Sequence, residues 1–366
     1  MKKYDLVVFG ASGFTGRLIV DYLSNHQETS KLNWAVAGRS ESKLKKLYNS
    51  IDILIADSFD LPSIEYMCKN SKLIITTVGP YDIYGESLIK SCIKYSTHYL
   101  DLTGESNFVN KVVNNYSNHS IKSNSIIINC CGLESVIPDI GTYLTVNKMK
   151  SNSKNITYYL KSKGQISGGT WASFLNIINS KKIKLSSKTE KSKQKNKTIF
   201  YNNSLKSWAL IFPVIDKQII YRTSKVFKVY KNFSFNEYIL IKSFKNLISL
   251  LLIFFFINIL SKFKFSKKWL ISLKPSGSGP NQKLRNKHWF KAIFIGKDDK
   301  KNVKAKTIIS GGDPGYGETA KFISEIALCI INDFEKLNEK KGILTPIQCT
   351  GDLLINRLIK AGITIK

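Results

Sequence analysis

Acidic residues are scarce in the second half of this chain. Residues 151–366 carry 12 of them against 40 basic side chains, whereas residues 1–150 carry 14 against 16. Between Lys191 and Lys297 only Asp216 and Glu237 are acidic, among 22 basic residues. Compositional bias alone would charge both halves alike, so the asymmetry points to an anionic surface, nucleic acid or phospholipid headgroups. Histidine is scarce too, four in 366 residues. No metal-ligand spacing occurs, and so few histidines leave little room for a Ser-His-Asp arrangement, so neither a metal centre nor a hydrolytic triad is expected. The six cysteines (Cys68, Cys92, Cys130, Cys131, Cys329, Cys349) are scattered, several of them in apolar segments. They read as buried thiols of a reducing compartment. No apolar run reaches the roughly 20 residues that a membrane-spanning helix needs. The N-terminus leads directly into a strand pattern rather than a secretory signal, which places the expected location in the cytoplasm.

What is present begins at once. Tyr4-Asp-Leu-Val-Val-Phe-Gly-Ala-Ser-Gly-Phe-Thr-Gly-Arg17 reads as a buried strand, a glycine-punctuated turn and a helix. A nucleotide pyrophosphate needs that layout. Gly10 can make the tight turn, Gly13 lets the backbone approach the phosphates, and Gly16 lets the helix pack closely on the sheet. N–H groups near Ser12, Phe14 and Thr15 would then point at the anion. The spacing is G-x-x-G-x-x-G rather than the commoner G-x-G-x-x-G.

The second strand, within Trp34-Ala-Val-Ala-Gly-Arg-Ser40, ends without the acid that would hold a ribose 2′-hydroxyl in an NAD site. It ends on Arg39 and Ser40, a fork of donors with fixed charge and a hydroxyl, which suit a 2′-phosphate. Arginine is rare here, 5 residues against 51 lysines, so its presence at this position counts. The expected cofactor is NADP (NADPH), with NAD less favoured.

Strand and helix signals alternate through the first 130 residues. Strands are expected at Tyr4–Phe9, Asn33–Ala37, Ile51–Ile55, Leu73–Val78, His98–Leu102 and Ser125–Asn129. Helices are expected at Glu41–Tyr48, Leu61–Lys69, Tyr84–Tyr95 and Asn107–His119. The alternation implies an α/β fold, a parallel, doubly wound Rossmann-type sheet whose ligands lie beyond the carboxyl ends of the strands. Asp57 and Ser58, after the third strand, are placed for the adenine. Thr77, Val78, Gly79 and Pro80, after the fourth, are placed for the nicotinamide ribose. Beyond Gly132 the pattern changes to a second α/β domain. Strands are expected at Tyr158–Lys161 and Lys304–Ile309, a turn and helix at Gly168–Phe174, and a Lys/Ser-rich loop at 181–197. The domains read as 1–132 for nucleotide, 133–316 for substrate and membrane, and a helical segment 317–366. The run Leu247–Leu260 is apolar over 14 residues and flanked by Lys242, Lys245, Lys262 and Lys264. It reads either as an interfacial membrane anchor, its lysines on anionic headgroups, or as a buried core helix.

These residues together resemble the saccharopine dehydrogenase-like oxidoreductases, especially the branch that includes trans-acting enoyl reductases of lipid assembly. The resemblance runs over nearly the whole chain. It rests on Gly10–Gly16, Ala37-Gly-Arg-Ser40, Val78-Gly-Pro-Tyr-Asp-Ile-Tyr-Gly-Glu86 and Thr97-His-Tyr-Leu-Asp-Leu-Thr-Gly-Glu105. It continues through Cys130-Cys-Gly-Leu-Glu-Ser-Val-Ile-Pro-Asp139, Ser167-Gly-Gly-Thr170, Gly312-Asp-Pro-Gly-Tyr-Gly-Glu-Thr-Ala320 and Gly342-Ile-Leu-Thr-Pro346. The resemblance implies an NADP-binding Rossmann domain, a second α/β domain, a C-terminal segment returning to the first, and lipid- or membrane-related chemistry. The chain departs from the family at Leu133-Glu-Ser-Val-Ile-Pro138, one residue longer before the proline. Saccharopine itself is not the expected substrate, because two carboxylates would need a pair of fixed arginines and only five arginines exist.

Hydride transfer belongs to the cofactor, but a proton must also arrive. The candidate donors are Tyr81 and, as alternatives, Glu105 and Asp139. Each has a structural use as well: Tyr81 as a wall, the two acids as helix caps. The reading is an NADP(H)-dependent reductase of a lipid-like or isoprenoid-like substrate at a membrane surface. The alternative is a nucleotide-binding, membrane-associated adaptor without turnover. Nucleic acid is a poor third: Phe233, Phe235, Trp269 and Trp289 alternate with lysines, but the run Leu247–Leu260 does not suit it.

Overall fold

In the computed structural model, residues 2–165, 171, 175, 197–211, 215–263, 266, 269–270, 272–274 and 278–366 are described. The expected turn and helix at Gly168–Phe174 (Trp171 apart) and the loop 181–196 lie outside them. The first six strands appear where the alternation put them, within three residues. They are β1 (Tyr4–Phe9), β2 (Trp34–Gly38), β3 (Asp52–Ile55), β4 (Ser71–Thr76), β5 (His98–Asp101) and β6 (Ile126–Ile128). Five helices connect them: α1 (Phe14–Ser24), α2 (Glu41–Leu47), α3 (Leu61–Asn70), α4 (Tyr81–Lys94) and α5 (Ser106–Lys122). β1 is buried at five of six positions and β6 at all three. This is the mark of strands covered on both faces of a parallel sheet. α1 turns Gly16, Ile19, Val20 and Leu23 inward, the three-to-four spacing of one helical face. α4 starts at Tyr81, three residues ahead of the expected Tyr84, with Pro80 as its N-cap.

α6 (Leu133–Asn147) follows, with Pro138 inside it. The chain divides into two compact units, one of residues 1–139 with 314–363, the other of 140–313 with 364–366. The second unit holds β7 (Lys154–Lys163), β8 (Ile199–Asn202), β9 (Ser207–Ile211), α7 (Asp216–Val226), β10 (Phe233–Ile241), α8 (Phe244–Leu260), α9 (Gln282–Arg285), β11 (Trp289–Lys297) and β12 (Val303–Gly311). Its mixed sheet runs β14-β12-β11-β7-β10-β9-β8, where β14 is Thr364–Ile365. One face of this sheet is deeply buried. Tyr158 stacks on Phe294 with ring centroids 4.7 Å apart. Gly141 of α6 meets the same Phe294 ring so closely that a Cβ there would overlap it. The two acids of the basic stretch, Asp216 and Glu237, are drawn together in this interior. Burial, and next the charge of Asp216, push the Glu237 carboxyl well above its usual range.

α8 overturns the buried-core reading of the apolar run. Ser243 caps it by accepting from Asn246 N, and Leu247 alone is buried. Phe244, Ile248, Leu252, Ile253, Phe255, Phe256 and Ile259 are all exposed. No described helix is long and apolar enough to cross a membrane.

The C-terminal residues return to the first unit as α10 (Gly317–Asn332), β13 (Gly342–Leu344), α11 (Pro346–Thr350) and α12 (Asp352–Lys360). β13 pairs in parallel with β6 and completes the order β13-β6-β5-β4-β1-β2-β3. Arg357 of α12 clamps the return. Its nitrogens reach Glu325 at 2.8 Å, Glu28 at 2.9 Å and Asp333 at 3.1 Å. Glu325, nearly fully buried, also accepts from Tyr22 of α1 at 2.5 Å. The fork geometry of a guanidinium lets one side chain tie three elements.

Candidate functional site

β1 lies between β2 and β4. The chain moves outward from it on one side through β2 and β3, then crosses to β4 and continues the other way. That reversal is the switch point where an open parallel sheet leaves a crevice at its carboxyl edge. The glycine turn sits there. Gly10 has φ +87°, a conformation that favours glycine, and a Cβ on it would meet Thr77 Oγ1 at 2.6 Å and Val78 Cγ2 at 2.9 Å. Gly16 packs against the turn, where a Cβ would lie 2.9 Å from Ala11 Cα and closer still to the Gly10 carbonyl oxygen. The three glycines thus let α1 start against the end of β1. No side chain caps α1, and its first turn contains no acid. Gly13 N donates to Gly10 O at 2.9 Å and Ser12, Gly13, Phe14 and Thr15 stay half-buried. The turn is therefore a shallow, backbone-lined cradle at the positive end of a helix, which fits a pyrophosphate.

Thr77 braces the cradle from β4. Its N–H donates to Phe9 O at 2.9 Å and its hydroxyl to Gly10 O at 3.2 Å. Val78 N donates to Thr76 Oγ1, and Gly79-Pro80 is a cis peptide. Arg39 is exposed and has no hydrogen bond or ion pair with any described residue. Beside it, Ser40 caps α2 by accepting from Lys43 N at 3.4 Å. Asp57 is occupied locally. Its carboxylate accepts from Phe59 N at 3.0 Å, and its N–H donates to Ser63, with Ser58 in the turn between.

The three candidate proton donors are each engaged by the fold. The Tyr81 hydroxyl donates to Thr76 O at 3.2 Å and accepts from Leu102 N at 3.3 Å. Burial pushes this phenol well above its usual range. Glu105 accepts from Tyr81 N at 3.0 Å and Asp82 N at 2.9 Å, so its carboxylate caps α4 although it stands at the start of α5. Burial raises this carboxyl despite the two N–H donors. Asp139 is buried and accepts from Ile347 N at the start of α11.

Two residues to which the sequence assigned no role complete the edge. Tyr48, at the end of α2, donates its hydroxyl to the Ala11 carbonyl inside the glycine turn at 2.8 Å. Burial moves it up to about 12. Asp101, at the end of β5, is fully buried and accepts from Tyr99 Oη, Thr103 N, Asn129 Nδ2 and Cys130 N at 2.6–3.0 Å. Desolvation brings it to about 6 in spite of those donors. It holds the exits of β5 and β6 together and fixes Cys130 at φ +63°. An acid ending a buried strand is a visible signal, but its four partners are spread from Tyr99 to Cys130. Among the described residues no group of His, Cys, Asp and Glu could hold a metal.

Residues 6–128 match the saccharopine dehydrogenase NADP binding domain. A saccharopine dehydrogenase-like oxidoreductase of Rattus norvegicus is 28% identical over 99% of this chain and 96% of its own. A lipid droplet localized protein of Caenorhabditis elegans is 26% identical over 100% and 98%. The structure of saccharopine dehydrogenase (L-Glu forming) from Saccharomyces cerevisiae superposes with a TM-score of 0.58 at 11% identity, covering 99% of both chains. That likeness establishes the shared two-part α/β fold. Residues 6–128 thus belong to an NADP binding domain of the saccharopine dehydrogenase type, and the chain as a whole is similar to the saccharopine dehydrogenase-like oxidoreductases.

Proposed function

We propose that the protein is an NADPH-dependent reductase of a lipid-like enoyl or carbonyl compound, working at a membrane surface. The observation that carries the reading is α8. Seven large apolar side chains are exposed along its 17 residues, and exposed Lys242, Lys245 and Lys262 stand at its two ends. An apolar helix open to its surroundings belongs in lipid rather than water. Each lysine adds about 1 kcal/mol on an anionic leaflet. The name of the worm relative, a lipid droplet localized protein, supports a lipid setting.

NADPH supplies the hydride. The chain's own residues do the rest. The start of α1 and the turn Gly10–Gly16 receive the pyrophosphate, Arg39 and Ser40 the 2′-phosphate, and Thr77–Pro80 border the ribose. Asp57 and Ser58 flank the adenine. A proton must reach the atom next to the one reduced, and Tyr81, Glu105 and Asp139 remain the candidates for delivering it. One observation favours a second reading, a nucleotide-binding membrane adaptor. Tyr81 and Glu105 already serve backbone groups.

The test is titration of the purified protein with NADPH and NADH, with and without anionic liposomes. Tighter NADPH than NADH binding, with co-flotation on liposomes and NADPH oxidation by a long-chain enoyl or carbonyl lipid, supports the reductase. NADPH binding and flotation without oxidation by any such lipid support the adaptor. Protein that stays in solution removes the membrane role.

A further inference from the structure

Two parts of the nucleotide site stand at opposite ends of α2. Arg39 and Ser40, which receive the 2′-phosphate in the reading above, come just before Glu41, and Ser40 caps the helix by accepting from Lys43 N. Tyr48 follows Leu47 at the other end and donates its hydroxyl to Ala11 O, inside the glycine turn, at 2.8 Å. The helix between them has 7 residues, which at 1.5 Å each span about 10 Å. It is lightly held. Leu44 alone is buried, and every other residue of Glu41–Leu47 is exposed. Among the described residues, no side chain of 41–48 except Tyr48 hydrogen-bonds to anything beyond Ser40. A helix this short is not stable by itself in water, and a segment with so few buried contacts opens at little cost.

The Tyr48 bond falls on the peptide that joins Ala11 to Ser12. That peptide is trans, so its carbonyl and its N–H point in opposite directions. With Ala11 O turned to Tyr48, the Ser12 N–H is turned away from α2. Ser12 is half-buried, and its N–H donates to no described residue. It is a donor left for a ligand. β2 reaches the same turn, since Gly10 N and Ala11 N both donate to Ala37 O. But Ala35, Val36, Ala37 and Gly38 are all buried in the sheet and do not yield to a ligand at Arg39. The link that can yield is α2.

We infer that α2 is a strut between the two phosphate subsites, and that Tyr48 is a positioning residue that sets the preference for NADPH over NADH. A 2′-phosphate on Arg39 and Ser40 fixes the first turn of α2. The ordered helix then holds Tyr48 on Ala11, and the Ser12 N–H stays aimed at the pyrophosphate. NADH has no 2′-phosphate, so it meets a turn whose brace is in place less often. A ligand shifts an equilibrium only through its differential affinity for the two states, and here the 2′-phosphate is the differential contact. The preference for NADPH therefore exceeds what the contacts of Arg39 and Ser40 give directly. The inference deepens the proposed function and rests on its placement of the 2′-phosphate and the pyrophosphate; it does not depend on the lipid substrate.

The test is the ratio of the Kd for NADH to the Kd for NADPH, read by fluorescence titration of the full chain. Tyr48→Phe keeps the ring and removes the hydroxyl. It should weaken NADPH binding about tenfold and NADH binding about threefold, so that the ratio falls about threefold. A brace that served both nucleotides alike would leave the ratio where it was, whatever it did to Tm. With Arg39→Ser already in place, adding Tyr48→Phe should weaken NADPH and NADH equally, because no 2′-phosphate signal is left to carry. K45G/K46G loosens α2 at two exposed positions and touches neither subsite. Its ratio should lie below that of K45A/K46A, which removes the same charges and keeps the helix. An unchanged ratio in Tyr48→Phe overturns the strut, as does an unchanged ratio in K45G/K46G should Tyr48→Phe not fold. Additive losses of NADPH affinity in the Arg39→Ser and Tyr48→Phe pair overturn it too. If Arg39→Ser weakens NADPH alone while Tyr48→Phe leaves the ratio intact, the strut is refuted and the cofactor site stands. If Arg39→Ser weakens both nucleotides alike, the 2′-phosphate placement fails and the strut falls with it.

Discussion

Replacing Gly16 by Ala tests whether the glycine turn holds the cofactor. The added methyl would lie 2.9 Å from Ala11 Cα and from the Gly10 carbonyl carbon, and nearer still to the carbonyl oxygen. Carbon contacts normally settle at about 3.5–4.0 Å, so the start of α1 has to withdraw by roughly 1 Å. All three obstructing atoms are backbone, just past the end of a strand buried at five of its six positions, and cannot step aside. An N–H that donates to a phosphate at about 2.9 Å would then stand near 3.9 Å, beyond hydrogen-bonding range. A hydrogen bond to a charged group contributes about 1.5–3 kcal/mol, so losing two weakens binding by about 3–6 kcal/mol. NADPH affinity should therefore fall roughly 10²–10⁴-fold. The assay is fluorescence titration with NADPH beside circular dichroism at the same temperature. Gly104→Ala is the control, since a Cβ there has nothing within 4 Å. A folded Gly16→Ala protein binding NADPH within threefold of the parent would refute the assignment of the turn.

Arg39→Ser should raise the Kd for NADPH about 10- to 100-fold and leave that for NADH nearly unchanged, because only the former carries a 2′-phosphate; equal losses for both would remove Arg39 from the site. Arg357→Met strands Glu325 and Asp333 without their cation and should destabilise the first unit by about 3–5 kcal/mol, readable as a Tm lower by roughly 6–20 °C. Glu237→Gln keeps a donor toward Asp216 but removes the titration. The Glu237 carboxyl is raised by burial and by Asp216, so the folded state keeps a proton that the unfolded chain releases. The stability tied to that proton is present below the unfolded value of 4.5 and is lost as pH rises toward the folded value. The Tm advantage of Glu237→Gln over the parent should grow as pH rises above 4.5, and a flat difference would count against a protonated Glu237. Replacing Leu252, Phe255 and Phe256 by Ser should release the protein from anionic liposomes without lowering Tm, since all three are exposed; unfolding instead would return α8 to the core.

The nucleotide half was legible because its signals are local. A strand buried on both faces reads as a continuous apolar run, and glycines at a tight turn have no substitute. The second unit was less so. Sequence pattern gave parts of β7 and β12 but missed β8, β9, β10 and β11. Phe233 and Phe235, read as aromatics interleaved with lysines, are alternate residues of β10, with Phe235 in the core. Period two meant a strand face, not a stacking platform for bases. Glu105 shows another limit. An acid before α5 suggests a cap, but its carboxylate reaches α4, 23 and 24 residues back. Nothing local to either helix announces that pairing. The union of Asp216 with Glu237 was hidden in the same way, although their isolation among 22 basic residues was the visible half of it.

The return of the C-terminus sets a schedule for biosynthesis. β6 is Ile126-Ile-Ile128, and its outer edge is closed only by Gly342–Leu344. Each isoleucine is separated from its partner by 216 positions. At about 5–20 residues per second a ribosome needs roughly 10–40 s to bridge them. Throughout that interval three isoleucines offer unpaired backbone to any passing strand. A nascent chain stalled before residue 342, or a fragment truncated there, is left in the same condition. The nucleotide-binding unit is thus the first part to be begun, and it is finished only after almost all of the second unit has been made.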